Sequence, residues 1–317
     1  MSNKKTNEKL FELFDYNKKI LYNEKFIKLF DTNEYNWSIK KDYIYNLIYS
    51  SNQIIKKNVL PNSLTHLTFG KNFNQVIDVL PNSLTHLTFG GYFNQVIEKY
   101  VLPDSLTHLA FGNNFNETIE KDLLPNSFSR HLLFEYGFDQ IIEKDVLPQS
   151  LTHLTFGEHF SIAQVIEKDV LPQSLTHLTF GYYYSDFNKI IEKDVLPNSL
   201  THLEFGDDFD QVIEKDVLPD SLTHLTFGCG FNQIIEKDVL PNSLTHLEFG
   251  SYFSNAQIIE KDVLPNSLTH LTFGRHFDEV IEKDVLPNSL TNLVLPISYK
   301  HDITHLSIDI KIEYIYY

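Results

Sequence analysis

The chain has a single cysteine, Cys229, in 317 residues, so it cannot close an internal disulfide. A secreted chain of this length more often carries several cysteines, and a reduced compartment, the cytoplasm, is the expectation. Blocks of Lys or Arg are also missing. The 26 Lys and Arg stand against 42 Asp and Glu, for a formal net charge of -16. Affinity for nucleic acid rests on clustered cations that neutralise phosphates, so neither nucleic acid nor an anionic membrane surface is an expected partner. No stretch approaches the 18 or so uninterrupted apolar residues of a bilayer-spanning helix. The basic Met1-Ser2-Asn3-Lys4-Lys5 is followed by charge mixed with Leu and Phe, not by the apolar core of a signal peptide.

What the chain has in abundance is one unit. Leu60-Pro61-Asn62-Ser63-Leu64-Thr65-His66-Leu67-Thr68-Phe69-Gly70 returns with its proline at Pro81, Pro103, Pro125, Pro148, Pro172, Pro197, Pro219, Pro241, Pro265 and Pro287, at gaps of 20 to 25 residues. A period in that range marks a solenoid. The expected fold is a β-rich, leucine-rich-repeat-like solenoid with one short strand per coil in a parallel sheet. A degenerate first coil is expected over 44–59, full repeats over 60–295 and a C-terminal cap over 296–317. Residues 1–43 lack the repeat. Leu10, Phe14, Leu21, Phe26, Leu29 and Phe30 fall near helical spacing there and predict a small helical cap or docking segment. Ile303-Thr304-His305-Leu306-Ser307-Ile308 reads as a last strand-like copy.

Within a unit, Leu64-x-x-Leu67-x-Phe69 has leucine-rich-repeat spacing and needs a strand around Leu67 to Phe69. Side chains alternate across a strand, so Leu67 and Phe69 point inward while His66 and Thr68 face out. Gly70 is expected to let the chain turn off the strand. Phe73, Ile77, Val79 and Leu80 then return apolar groups to the interior, and Ser63 is expected to satisfy backbone groups between turns. Insertions fall after the glycine at 158–163, 182–186 and 251–256, and an extra residue at the strand entrance by Ser129-Arg130-His131 predicts a bulge.

A unit of the form Leu-Pro-x-Ser-Leu-x-x-Leu-x-Phe-Gly-x-x-Phe-Asn-Gln-x-Ile resembles the FNIP repeat, a leucine-rich-repeat relative abundant in social amoebae and in giant viruses of amoebae. Phe73-Asn74-Gln75, Phe93-Asn94-Gln95 and Phe231-Asn232-Gln233 stand at the family's Phe-Asn signature, with Val or Ile in place of its usual proline. The resemblance implies a non-catalytic scaffold for a protein partner, placed in the host cytoplasm if the chain is viral. Some similar proteins carry an N-terminal F-box. That makes a substrate-recognition adaptor, docked on ubiquitin-ligase subunits through residues 1–43, the alternative, although the leader lacks the Leu-Pro-x-Glu opening of that motif.

The unusual chemistry is a column of His66, His86, His108, His131, His153, His177, His202, His224, His246 and His270, interrupted at Asn292 and expected to resume at His305. Such a row could capture metal or sense pH. An even row shows no choice of ligands, however, and metal sites normally choose, so no metal or cofactor is expected and a ladder of neutral imidazoles bonded to Thr and backbone is the reading. Ser, His and Asp recur in nearly every unit. A catalytic triad needs one oriented constellation, so no enzyme is expected. The repeated Glu-Lys-Asp reads as a solvated convex column. Positions that differ between units are the better guide to binding. At the rim after the glycine these are His159, Tyr182, Tyr183, Tyr184, Asp207, Asp208, Tyr252 and His276, and on the sheet face Glu204 and Glu248 replace threonine. Aromatic side chains with few rotatable bonds make good interface anchors.

Overall fold

The computed structural model describes the backbone of residues 19–22 and residues 44–57, 59–160, 165–181, 185–254 and 261–316. Fourteen strands lie in these: β1 (Lys19–Tyr22), β2 (Asn46–Tyr49), β3 (His66–Phe69), β4 (His86–Thr88), β5 (His108–Phe111), β6 (His131–Phe134), β7 (His153–Phe156), β8 (His177–Phe180), β9 (His202–Phe205), β10 (His224–Thr226), β11 (His246–Glu248), β12 (His270–Thr272), β13 (Asn292–Pro296) and β14 (Lys311–Ile315). They form one parallel sheet in sequence order, His opposite His and Leu opposite Leu from coil to coil. No helix occurs among the described residues, and so none there is long and apolar enough to cross a membrane.

The alternation expected of the strand holds. Leu67 and Phe69 are buried and His66 and Thr68 exposed, and the other repeat strands keep that alternation of inward Leu and outward His. Inside, Phe69 and its equivalents stack on one another, and each lies flat against the next Phe of its own coil, as in Phe69–Phe73 at 4.0 Å, Phe227–Phe231 at 3.8 Å and, across the insertion, Phe180–Phe187 at 4.2 Å. Identical side chains of neighbouring coils are separated by the local rise, so their spacing measures curvature. It is 4.1 Å for His202–His224, 5.6 Å for Phe205–Phe227 and 6.2 Å for Phe209–Phe231. The array therefore bends with the sheet on its concave side. A change of about 1.5 Å over a depth of about 7 Å turns each coil by roughly 12°.

Polar ladders run beside the core. Ser105 Oγ donates to the Leu84 carbonyl and Ser221 Oγ to that of Leu200, each at 2.6 Å, so the invariant serine ties one coil to the next. Asn74 Oδ1 accepts from the Asn94 N–H and from Gln95 Nε2, each at 3.0 Å, which gives the Phe-Asn-Gln signature its physical role. On the convex side Asp122, Asp145, Asp169, Asp194, Asp216, Asp238, Asp262 and Asp284 have φ of 65 to 69°. Asp tolerates that region better than most residues. Each turn closes by an N–H bond such as Val146 to the Glu143 carbonyl at 3.3 Å. Lysines of one coil reach the Asp of the next, as in Lys144–Asp169 at 2.9 Å and Lys193–Asp216 at 2.9 Å. These pairs are exposed, so solvent screens them and they add little to stability.

Four expectations need correction. The glycine after the strand is required by crowding and, except at Gly181 (φ 80°), not by its φ. A Cβ on Gly228 would sit 2.2 Å from the Gly206 carbonyl oxygen, and one on Gly250 2.0 Å from that of Gly228. Leu21 lies in β1 and not on a helix, because the parallel edge of β2 offers a hydrogen-bonding row that overrides local pattern. The other apolar positions proposed for a helical cap in residues 1–43 lie outside the described residues. The last strand is Lys311–Ile315 and not 303–308, so His305 does not resume the histidine column; Lys311 pairs with Asn292 instead. A strand at His305 would leave too few residues after Asn292 for the chain to pass round a coil. Val79 is 41% exposed, since its short unit lacks the Glu-Lys-Asp turn that buries the matching Val146.

Candidate functional site

The concave face is built from the first and third positions of the strands. His153, His177, His202, His224, His246 and His270 stack with ring centroids 4.1 Å apart, and His66, His86 and His108 do so at 4.0 Å. Each follows a threonine with two contacts. Thr223 Oγ1, for example, lies 3.0 Å from the Thr201 carbonyl and 2.9 Å from His224 Nδ1. The hydroxyl has one proton, and a carbonyl can only accept. The proton therefore goes to the carbonyl, the hydroxyl accepts from His224 Nδ1–H, and Nε2 is left as a bare lone pair. The same arrangement recurs at the eight other threonine-preceded histidines from His66 to His270.

Burial, reinforced by neighbouring imidazoles and Arg130, holds most of the row below the ordinary imidazole range, His86 and His177 down to about 4. The ladder breaks where a bulge was expected. Arg130 replaces threonine, His131 turns so that its ring is tilted and 6.0 Å from His153, and its Nε2 lies 3.1 Å from Thr155 Oγ1. Among the described residues no group of three or more His, Cys, Asp or Glu is placed to hold a metal ion.

Glu204 and Glu248 stand on this face on either side of Thr226. Loss of hydration against the sheet raises both carboxyls above the usual carboxylate range. They are not part of the rim. There, His159 Nδ1 meets Asp186 Oδ2 at 2.9 Å, and Tyr136 stands edge-on to His159 at 4.2 Å. Asp208 carries a raised pKa from burial and from the nearby Asp186 and Asp207 carboxylates. Asp207 Oδ1 also accepts from the Cys229 N–H at 3.0 Å. Tyr252 and His276 stack at 5.4 Å, further along the rim. Tyr182, Tyr183 and Tyr184 lie outside the described residues.

Sequence reasoning missed three surface features. Asp186 joins the rim because the insertion lets Ser185 and Asp186 take the two rim slots, as the Asp208 N–H bond to the Ser185 carbonyl at 3.2 Å shows. Tyr136 takes the first rim slot of its coil, after Glu135 at the strand-glycine position, as the His159 N–H bond to its carbonyl at 2.9 Å shows. The third is a row of exposed β-branched residues, Val96, Ile141, Ile190, Val212, Ile234 and Val280, each about half exposed or more. Its signal was a pair of successive apolar residues, such as Val212-Ile213, where only one of two neighbours can face inward.

One parallel strand per coil, a Leu and double-Phe interior and a concave outward face define a leucine-rich-repeat-like β-solenoid. Its repeats match the FNIP Repeat family model over residues 52–92, 93–129, 130–159, 138–183, 187–230, 231–256 and 255–298. The chain belongs to the FNIP repeat family. Among solved structures it is similar to the giant-virus protein CroV588, whose crystal structure is described as a novel circular LRR protein structure. Identity is 52% and the TM-score 0.73, and the match covers 83% of this chain and 41% of that one. This chain thus spans less than half of that relative. Matches to YopM from Yersinia enterocolitica WA-314 (20% identity, TM-score 0.41, covering 86% of this chain and 67% of that one) and to a leucine-rich repeat protein from Bacteroides ovatus ATCC 8483 (16%, 0.21, 87% and 68%) are far weaker. No curated protein matches the chain.

Proposed function

We propose that this chain is a non-catalytic scaffold that binds a protein partner across its concave sheet face and the adjoining rim. The observation that carries this reading is the row of bare imidazole Nε2 atoms, which the threonine ladder fixes as acceptors and which no donor of the described residues meets except at His131. Polar groups held open in a regular row invite a partner's donors. The curvature supports the same reading. A turn of roughly 12° per coil closes after about thirty coils, so the concave face lines the inside of an arc, and a relative described as circular has a matching shape. The adaptor reading concerns residues 1–43, most of which lie outside those described, and no feature of the site favours it.

The test is affinity capture from cell extract with the full chain, a concave-face variant, Thr179→Arg/Thr226→Arg, and a convex-row variant, Val212→Glu/Ile234→Glu. Proteins retained by the unmodified chain should be lost from the first variant and kept by the second. Loss from the convex-row variant alone would move the binding surface to the Val and Ile row and contradict the proposal.

A further inference from the structure

Two carboxylates occupy positions where the array otherwise repeats small neutral groups. Glu204 of β9 and Glu248 of β11 flank Thr226 of β10 in register, so they leave the sheet two strand spacings apart. That is about 9 Å. Neither forms an ion pair with a cation of the described residues. Glu204 reaches Thr179 Oγ1 at 3.5 Å, a long contact that supplies no charge. Around them the row from His153 to His270 offers bare Nε2 acceptors, and threonine hydroxyls are the other polar groups at the third strand position from β7 to β12. The cation of this face, Arg130, stands at the break in the ladder before β7, outside this span. Asp186, Asp207 and Asp208 at the rim add negative potential along one flank.

We propose that the concave face from β7 to β12 docks an extended peptide segment of a protein partner bearing two cationic side chains three residues apart. Their charges meet Glu204 and Glu248, and the segment's N–H groups meet the histidine Nε2 row. This rests on the scaffold reading above. The spacing chooses the conformation. A polyproline-II segment rises about 3.1 Å per residue with three residues per turn, so residues i and i+3 project to one side about 9.3 Å apart. A β-strand sets i and i+2 about 6.8 Å apart on one face, which falls short of the carboxylate separation. Polyproline II also leaves its backbone N–H groups unpaired, free for imidazole acceptors. Arginine suits the place better than lysine, because its planar fork can bind a carboxylate with two N–H groups and still direct another at an Nε2.

The experiment is fluorescence anisotropy at pH 7.5 with the full chain and labelled nine-residue peptides that carry proline only at their first and last two positions, which favours polyproline II and keeps the central backbone N–H groups. One carries arginine at its third and sixth positions, the other at its third and fourth. The first should bind saturably and about tenfold or more tighter than the second. Glu204→Gln/Glu248→Gln should weaken it about tenfold or more, while Glu167→Gln/Glu192→Gln, which removes the same charge from the convex turns, should leave it unchanged. Circular dichroism melts of both variants check that the array is intact. Equal affinity for the two peptides, equal weakening by the two double variants, or no saturable binding would each overturn the proposal. If captured proteins are lost from Thr179→Arg/Thr226→Arg but retained by Glu204→Gln/Glu248→Gln, the paired-cation motif fails and the scaffold reading stands.

Discussion

Lowering the pH from 7.5 to 5.5 is expected to reduce the melting temperature of the array by about 3–6 °C. Eight histidines, from His86 to His246, have pKa values depressed in the folded chain by burial and by their cationic or imidazole neighbours. A depressed imidazole pKa means that the unfolded chain takes up protons the folded chain refuses. Stability is then fully present above the ordinary imidazole value near 6.5 and is lost as pH falls from there toward about 4, where His86 and His177 titrate when folded. The rings are mostly solvent-facing, so screening cuts each contribution to a few tenths of a kcal/mol, and eight of them give about 2–4 kcal/mol. Glu135, Glu204, Asp208 and Glu248 have raised pKa values and act in the opposite sense, but they are four against eight. The triple variant His202→Phe/His224→Phe/His246→Phe keeps stacked rings and removes three titrations. Its melting temperature should change visibly less between the two pH values. An unmodified chain that melts alike at both would contradict the neutral-ladder account.

Phe227→Ala is expected to destabilise the array by about 3–5 kcal/mol, the range for emptying a buried phenylalanine site. Phe227 is 2% exposed and touches Phe205 and Phe249 along its column at 5.6 Å and Phe231 across at 3.8 Å. The cavity opens at the junction between coils, where a solenoid draws its nearest-neighbour stability. Denaturant unfolding should therefore show a lower midpoint, and a first phase that separates the coils on either side of β10. Val212→Ala, on the exposed convex row, should stay within about 0.5 kcal/mol of the unmodified chain. Similar losses for the two substitutions would place the phenylalanine columns outside the core.

The repeat made the architecture legible before any coordinates, because each column of the stack is one letter of the unit. Leu67 and Phe69 inside, His66 and Thr68 outside, and Ser63 on the preceding carbonyl all follow from period and alternation. Contacts between coils were less visible. The glycine column looks like a turn residue in one copy and shows its cause only when the Gly206 carbonyl is seen beneath Gly228. The end of the sheet misled because 303–308 copies the letters of a strand without the length of a coil behind it. At the site, Glu204, Glu248 and the rim residues could be picked out as departures from the repeat. Their division into a face pair and a separate His159–Asp186 cluster depends on the insertion before Ser185, whose path the sequence does not encode in any periodic signal.

The function proposed here rests on the imidazole row being a comb of bare acceptors. Long-range 1H–15N spectra of the histidine side chains at pH 7.5 measure this directly, since they separate protonated from unprotonated ring nitrogens. The nine threonine-preceded histidines should all show Nδ1 protonated and Nε2 bare. A row protonated at Nε2, or a mixture of both tautomers along it, would contradict the account.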